Sequence, residues 1–165
     1  MSGPGQNPVH VPGDGGESIF LVGDTYTTLL SGAQTGGVFT LLEALVLPEA
    51  GPPPHAHHRE EETFYLLDGH MEFTVGDQTY DAEEGAAIYV PRNVAHSYRN
   101  VGQGPAKMLF MYSPAGMEGM FPDIGKPGRR GVVGPPLDPA EIEAMAGVAG
   151  KYHFSFVTPE AAPQG

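Results

Sequence analysis

No cysteine occurs among the 165 residues, which excludes a disulfide framework, thiolate metal ligands, a cysteine nucleophile and iron–sulfur chemistry. Basic residues are scarce as well: 8 Lys and Arg stand against 20 Asp and Glu, for a formal net charge of −12. An acidic surface repels phosphate, so neither nucleic acid nor anionic membrane is an expected partner. No apolar run approaches the length of a membrane span, and the first residues show no basic segment followed by an apolar stretch. A soluble, cytoplasmic protein is the expectation, and the length suits one domain with a real core.

What the chain has in abundance is punctuation. Its 24 Gly and 17 Pro separate short runs rich in Val, Leu, Phe, Tyr and Thr, an all-β pattern. The runs predict strands near 18–22, 26–30, 38–47, 62–67, 71–75, 78–81, 87–90, 95–100 and 107–113. Gly76-Asp77 marks a hairpin between two of them. Asp81-Ala82-Glu83-Glu84 reads as a solvated turn, and the Gly/Pro-rich residues 1–16 should be ordered only where they touch the rest of the domain or a partner subunit.

Three histidines and a glutamate stand out within this frame. His55 and His57 are separated by one residue, a spacing that puts both imidazoles on one face of a strand and would splay them on a helix. Pro52-Pro53-Pro54 excludes a helix there and keeps the approach extended. Glu62 lies five positions beyond His57, so a turn over His58-Arg59-Glu60-Glu61 must intervene before Glu62 opens the next strand and faces back inward. His96 follows a short apolar strand and a Pro91-Arg92-Asn93 reversal. Imidazole nitrogens with a carboxylate oxygen suit a divalent metal of borderline softness. His10, His70 and His153 fit no such pattern and read as surface or packing residues, as does His58, although it adjoins the cluster. Glu60 and Glu61 read as a solvated turn rather than as catalytic groups.

Two stretches carry a family resemblance. Gly51 stands ahead of H-x-H-x4-E-x6-G, which ends at Gly69, and G-x5-P-x-N-x2-H-x3-N runs from Gly85 to Asn100. They resemble the two motifs of the cupin superfamily, with Asn93 where the family has glycine. Asn tolerates left-handed backbone better than other non-glycine residues, so the turn should survive. The fifteen residues between the motifs leave room for one hairpin, similar to the compact spacing of microbial single-domain cupins. The resemblance implies an all-β double-stranded β-helix, a jelly-roll barrel, over residues 17–114, with residues 115–165 forming a tail of loop and one or two short helices. It also implies that His55, His57, Glu62 and His96 bind one divalent ion per chain, whether Fe, Mn, Ni, Co or Zn.

The tail has signals of its own. One short helix is expected over 115–121. Asp138-Pro139-Ala140-Glu141 reads as an N-cap, a first-turn proline and a capping-box acid for a second helix running to about Ala146, where Gly147 and Gly150 weaken it. Between them the loop 125–136 carries Lys126, Arg129 and Arg130 and reads either as a solvated loop or as a lid for an acidic or phenolic substrate.

This tail resembles those of cupins grouped with the quercetin dioxygenases. That likeness implies a metal-dependent dioxygenase on a flavonol-like or other phenolic or enolic aromatic substrate, with Glu62 both ligand and acceptor of the substrate's hydroxyl proton. By strand alternation Phe64, Leu66 and Tyr98 should face inward, as core filler or as the wall of an apolar pocket. Two alternatives stay open: a non-redox cupin such as a polyketide cyclase or isomerase using the metal as a Lewis acid, and a binding cupin without turnover, since one fold serves many functions. The expected partners are a small aromatic molecule, dioxygen and a second copy of the chain, because pairing would cover an edge strand next to the N-terminal segment.

Overall fold

The computed structural model describes Gly3 and residues 7–157. Short strands follow one another between turns: β1 (Glu17–Leu21), β2 (Asp24–Leu30), β3 (Thr40–Val46), β4 (His55–His57), β5 (Glu61–Asp68), β6 (His70–Val75), β7 (Gln78–Glu83), β8 (Ala87–Val90), β9 (His96–Asn100) and β10 (Ala106–Ser113). One helical turn, α1 (Gly32–Thr35), lies between β2 and β3. After β10 come a 3-10 turn (Met117–Gly119), α2 (Met120–Ile124), β11 (Lys126–Pro127), α3 (Pro139–Val148) and β12 (Phe154–Phe156).

The strands form two antiparallel sheets, seven-stranded in the order β11-β1-β2-β3-β10-β5-β8 and five-stranded in the order β12-β4-β9-β6-β7. Their inner faces enclose one core, as a jelly-roll barrel requires. Alternation does the sorting: along β10, Ala106, Met108, Phe110 and Tyr112 are buried while the residues between them are partly exposed. Phe64 packs against Phe73, Tyr98 and Phe110 at ring-centre distances of 5.1, 5.8 and 6.0 Å, filling the space between the sheets.

Several expectations shift at the edges. The strand expected over 38–47 begins only at Thr40, because Ser31 and Gln34 form a capping box that starts α1, and Gly36 and Gly37 turn the chain out of it with positive φ. The run Asp81-Ala82-Glu83 is not a turn but the end of β7, with Ala82 facing inward and buried. The first tail helix splits into the 3-10 turn and α2, and α3 continues through Gly147 to Val148. Nor is β1 a free edge, since Ile19 and Phe20 pair with Pro127 and Lys126 of β11.

The loop 125–136 is largely exposed, as a solvated loop would be, but it is anchored at Arg130. Arg130 forms two hydrogen bonds to Glu43, at 3.2 and 3.0 Å, and donates to the carbonyls of Pro12 and Gly15. Glu43 sits on β3 between the inward-facing Leu42 and Ala44, so its side chain leaves the barrel on the outside. Arg130 therefore straps the N-terminal segment and the tail to the outer wall.

The tail also lends β12 to the second sheet, pairing Phe154, Ser155 and Phe156 with His57, Ala56 and His55. That pairing positions the roof over the site described next.

Candidate metal centre

His55 and His57 project from the same face of β4, and His55 is directly opposite His96 of β9. Glu62 enters from β5 in the other sheet, after the bends at His58 and Arg59. The two motifs fix these strands through their backbones. At Gly51 a Cβ atom would stand 1.8 Å from the Tyr98 carbonyl oxygen of β9, so only glycine permits that approach. Asn93 takes the left-handed conformation, φ 65°, and its backbone N–H bonds the His57 carbonyl at 2.8 Å, locking the reversal before His96 to the strand that bears the other histidines. Asn100 is fully buried and satisfied, donating to the carbonyls of Val46 and Gly104 and accepting from Gly102 N.

The four side chains converge. One ligand-type atom from each of His55, His57, Glu62 and His96 lies within 4.8 Å of every other. Glu62 Oε2 is 2.8 Å from His96 Nε2 and 3.2 Å from His57 Nε2. Donors bonded at about 2.1 Å to one ion stand roughly 3 Å apart at neighbouring positions, so these separations suit a shared divalent ion. Two ring nitrogens are oriented from behind: His55 Nδ1 is 2.9 Å from the Pro53 carbonyl and His96 Nδ1 is 3.0 Å from that of Val94. With the proton on Nδ1, each Nε2 is left as a lone-pair donor, the arrangement that metal-binding histidines require.

His57 is 3% exposed, and neither of its ring nitrogens makes a hydrogen bond, its Nε2 meeting Glu62 Oε2 only as an ion-pair contact at 3.2 Å. Buried polar atoms are rarely left so, and an ion beside Nε2 would satisfy one of them. The residues present thus fit a divalent metal.

The electrostatics agree. Burial, and then the neighbouring His96 and His57, push the His55 imidazole down to about 3, so it is neutral. Burial alone would raise the Glu62 carboxyl, but His57 and His96 outweigh it and hold the group ionised below its ordinary range. Burial lowers His96 and its hydrogen bond to Glu62 more than reverses that, leaving it raised.

Beside the cluster lies a cavity of about 40 Å³, whose lining includes His55, His57 and Glu62. Tyr26, Tyr98 and Tyr112 form its wall. Its roof comes from the tail: Met117, Met120 and Phe121 around α2, Met145 of α3 and Phe154 of β12. Of the three residues expected to line a pocket, Tyr98 does. Phe64 and Leu66 face inward as expected but lie among the core side chains and outside the cavity lining.

One residue departs from its sequence reading. Glu60 is not a solvated turn residue: it is 2% exposed, its Oε2 has no hydrogen-bond partner, and burial raises its carboxyl above the ordinary range. A lone glutamate in a run of charged residues gives no signal of this kind. His58 bridges the second-motif turn to the tail, its two ring nitrogens 2.8 Å from Asn93 Oδ1 and 2.8 Å from Ser155 Oγ. The roof, too, had no signal in the sequence, because its residues follow no alternating pattern.

The cupin domain family matches residues 42–112. The polyketide synthase protein CurC of Streptomyces cyaneus is 29% identical over 90 residues, covering 54% of this chain and 57% of that one. The quercetin 2,3-dioxygenase of Bacillus subtilis is 30% identical over 113 residues, 65% of this chain and 32% of its own length. The chain thus spans little more than half the length of the first curated relatives it matches. Among solved structures, an RmlC-like cupin from Shewanella frigidimarina superposes with a TM-score of 0.56 at 19% identity, covering 67% of this chain and 95% of that one.

Proposed function

We propose that this chain, whose residues 42–112 match the cupin domain family, is a metal-dependent dioxygenase acting on a small phenolic or enolic aromatic substrate of the flavonol type. The observation that carries the metal half of this reading is His57, buried inside a four-donor cluster with neither ring nitrogen in a hydrogen bond and its Nε2 3.2 Å from Glu62 Oε2. A divalent ion held by His55, His57, Glu62 and His96 would carry a net charge near +1 and lower the pKa of an oxygen acid beside it. Glu62, ionised by its surroundings, is the group placed to accept the hydroxyl proton of a phenol or enol entering the cavity. The apolar roof and tyrosine wall exclude water and suit an aromatic face.

Size sets a condition on this reading. A single water needs about 10–15 Å³ and an aromatic ring on the order of 150 Å³, so a cavity of about 40 Å³ holds a few waters and no ring. Substrate entry requires the roof to move. Three of its residues are methionines, the side chains that repack most readily.

The likeness to CurC favours a second reading, a non-redox cupin in which the bound ion serves only as a Lewis acid. Elemental analysis of the protein as isolated, followed by oxygen-uptake screening against phenolic substrates, separates the two. Iron, manganese, cobalt or nickel with oxygen consumption supports the dioxygenase; zinc with indifference to oxygen overturns it in favour of the second.

We also infer a homodimer. The outer face of the larger sheet presents Tyr65 and Tyr89, 46% and 56% exposed, beside the half-buried Leu41, Leu109 and Met111, an apolar surface of the kind that subunits cover. Light scattering that gives a monomer mass at micromolar concentration would rule this out.

A further inference from the structure

The cavity has a second polar wall that the histidines and Glu62 do not account for. Asp24, at the start of β2, is completely buried. Its Oδ2 lies 3.1 Å from the Tyr26 hydroxyl, which in turn lies 3.0 Å from the Tyr98 hydroxyl. Tyr26 and Tyr98 line the cavity together with Glu62, and Asp24 stands behind them, outside the lining. Asp24 Oδ1 is buried without a hydrogen-bond partner. A network serving only stability has no reason to keep a carboxyl in such a place, where an apolar side chain would avoid the penalty of an unpaired buried oxygen.

We propose that Asp24, Tyr26 and Tyr98 form a hydrogen-bond relay that points the Tyr98 hydroxyl into the cavity as a donor to a second oxygen of the substrate. The site would then take molecules with two oxygens, such as a catechol or a hydroxy-ketone, one oxygen toward Glu62 and the other toward Tyr98. The substrate half of this inference rests on the reading of the cavity as a phenol or enol site.

The direction of the relay follows from counting protons. Each hydroxyl has one to donate. When the Asp24 carboxyl carries a proton it donates to Tyr26, Tyr26 donates to Tyr98, and Tyr98 is left to donate into the cavity. When Asp24 is ionised it accepts from Tyr26, Tyr26 accepts from Tyr98, and the cavity meets only a lone pair. Burial pushes the Asp24 carboxyl up to about 8, against the weaker opposing influence of Tyr26, the Leu47 backbone and Tyr98, so the protonated form prevails at neutral pH. Tyr26 and Tyr98 are the titratable groups that face it. A carboxylic acid held neutral by its surroundings so that it donates a hydrogen bond is an established device for stabilising oxygen anions.

Tyr98 is thus the contact residue, while Tyr26 and Asp24 position it. The test uses the full chain loaded with cobalt(II), whose visible spectrum reports both the metal and the binding of phenol or catechol. Wild type should bind catechol more tightly than phenol, and Tyr98→Phe should reduce that preference about tenfold with cobalt content unchanged. Asp24→Asn, whose amide still donates to Tyr26, should keep the preference at pH 7 and lose its decline above pH 8. Asp24→Leu should lose the preference, a pattern that a purely packing role would not produce. A catechol preference that survives in both Tyr98→Phe and Asp24→Leu overturns the proposal. Failure of cobalt to bind would count against the metal reading alone. The relay is then decided by infrared spectroscopy of the metal-free protein, where a protonated-carboxyl band at pH 7 must be present in wild type and absent from Asp24→Asn; no such band in wild type overturns it.

Discussion

The wall and the roof of the cavity are held by different forces. The wall is strand: His55, His57, Glu62 and His96 sit on three hydrogen-bonded strands whose register is set by the pairs His55 to His96 and Glu62 to Tyr112. A one-residue slip would turn every one of these side chains to the outside, so the ligand geometry is as stable as the barrel. The roof is attached at a few points. Glu141 of α3 caps the backbone N–H of Val22 at 3.1 Å, Arg59 reaches the Ala115 carbonyl, β12 pairs along β4, and Lys151 and Tyr152 meet Asp123. Between those ties the contact is methionine and phenylalanine packing. A rigid wall preserves a coordination geometry, whereas a loosely tied roof lets one scaffold admit substrates larger than its closed cavity.

The contrast can be broken first at the wall. Glu62→Gln should leave much of the metal in place, since three imidazoles remain, while activity per bound ion falls roughly a hundred- to ten-thousand-fold if Glu62 is the base. Activity per metal equal to wild type, measured on whichever phenolic substrate the screen finds, would reduce Glu62 to a ligand.

A second wall residue yields a pH signature. The Asp24 carboxyl sits at about 8 in the folded protein against an ordinary 3.8, so between those values the native state holds a proton that the unfolded chain has released. Stability therefore falls as pH rises through that window, is unaffected below it, and levels off above it. From pH 5 to pH 8 the effect is at most about 4 kcal/mol. Urea unfolding of Asp24→Asn should show a flatter profile than wild type, and parallel profiles would contradict the assignment.

Wall and roof should also differ under equal truncation. Leu66→Ala, within the barrel, should cost about 3 kcal/mol, near the middle of the range for buried leucines. Met145→Ala in the roof should cost about half as much. Only the roof variant should speed the uptake of phenol by the cobalt-loaded protein, followed by stopped-flow absorbance. Equal costs and equal uptake rates would remove the distinction. The smallest change is expected outside both regions: Arg130→Ala breaks the strap to Glu43 and should cost about 0.5–1 kcal/mol in urea unfolding without altering metal content.

How much of this was legible depended on whether a residue's role follows from local rules. The H-x-H spacing dictates a strand and the proline run and the glycines dictate turns, while the barrel and the four converging side chains were implied by the resemblance of the two motifs to those of cupins. Asn93 behaved as its tolerance for positive φ suggests. The roof could not be read, because Met117, Met120, Phe121, Met145 and Phe154 come together only when the tail folds back, and Phe154-Ser155-Phe156 is too short an alternation to announce a strand. Asp24 was hidden for another reason. An aspartate after Gly23 looks like a turn residue, and only the register with β3 shows that it points inward. Arg130 read as part of a solvated loop or a lid because its partner Glu43 lies 87 positions away.

The central claim is the metal, and it is tested most directly by measuring the ion content of the purified protein by elemental analysis, alongside the His55→Ala/His57→Ala double variant. The account predicts one divalent ion per chain in wild type and less than about a tenth of that in the double variant, in which two of the four donors are gone. Stoichiometric metal retained by the double variant would contradict it.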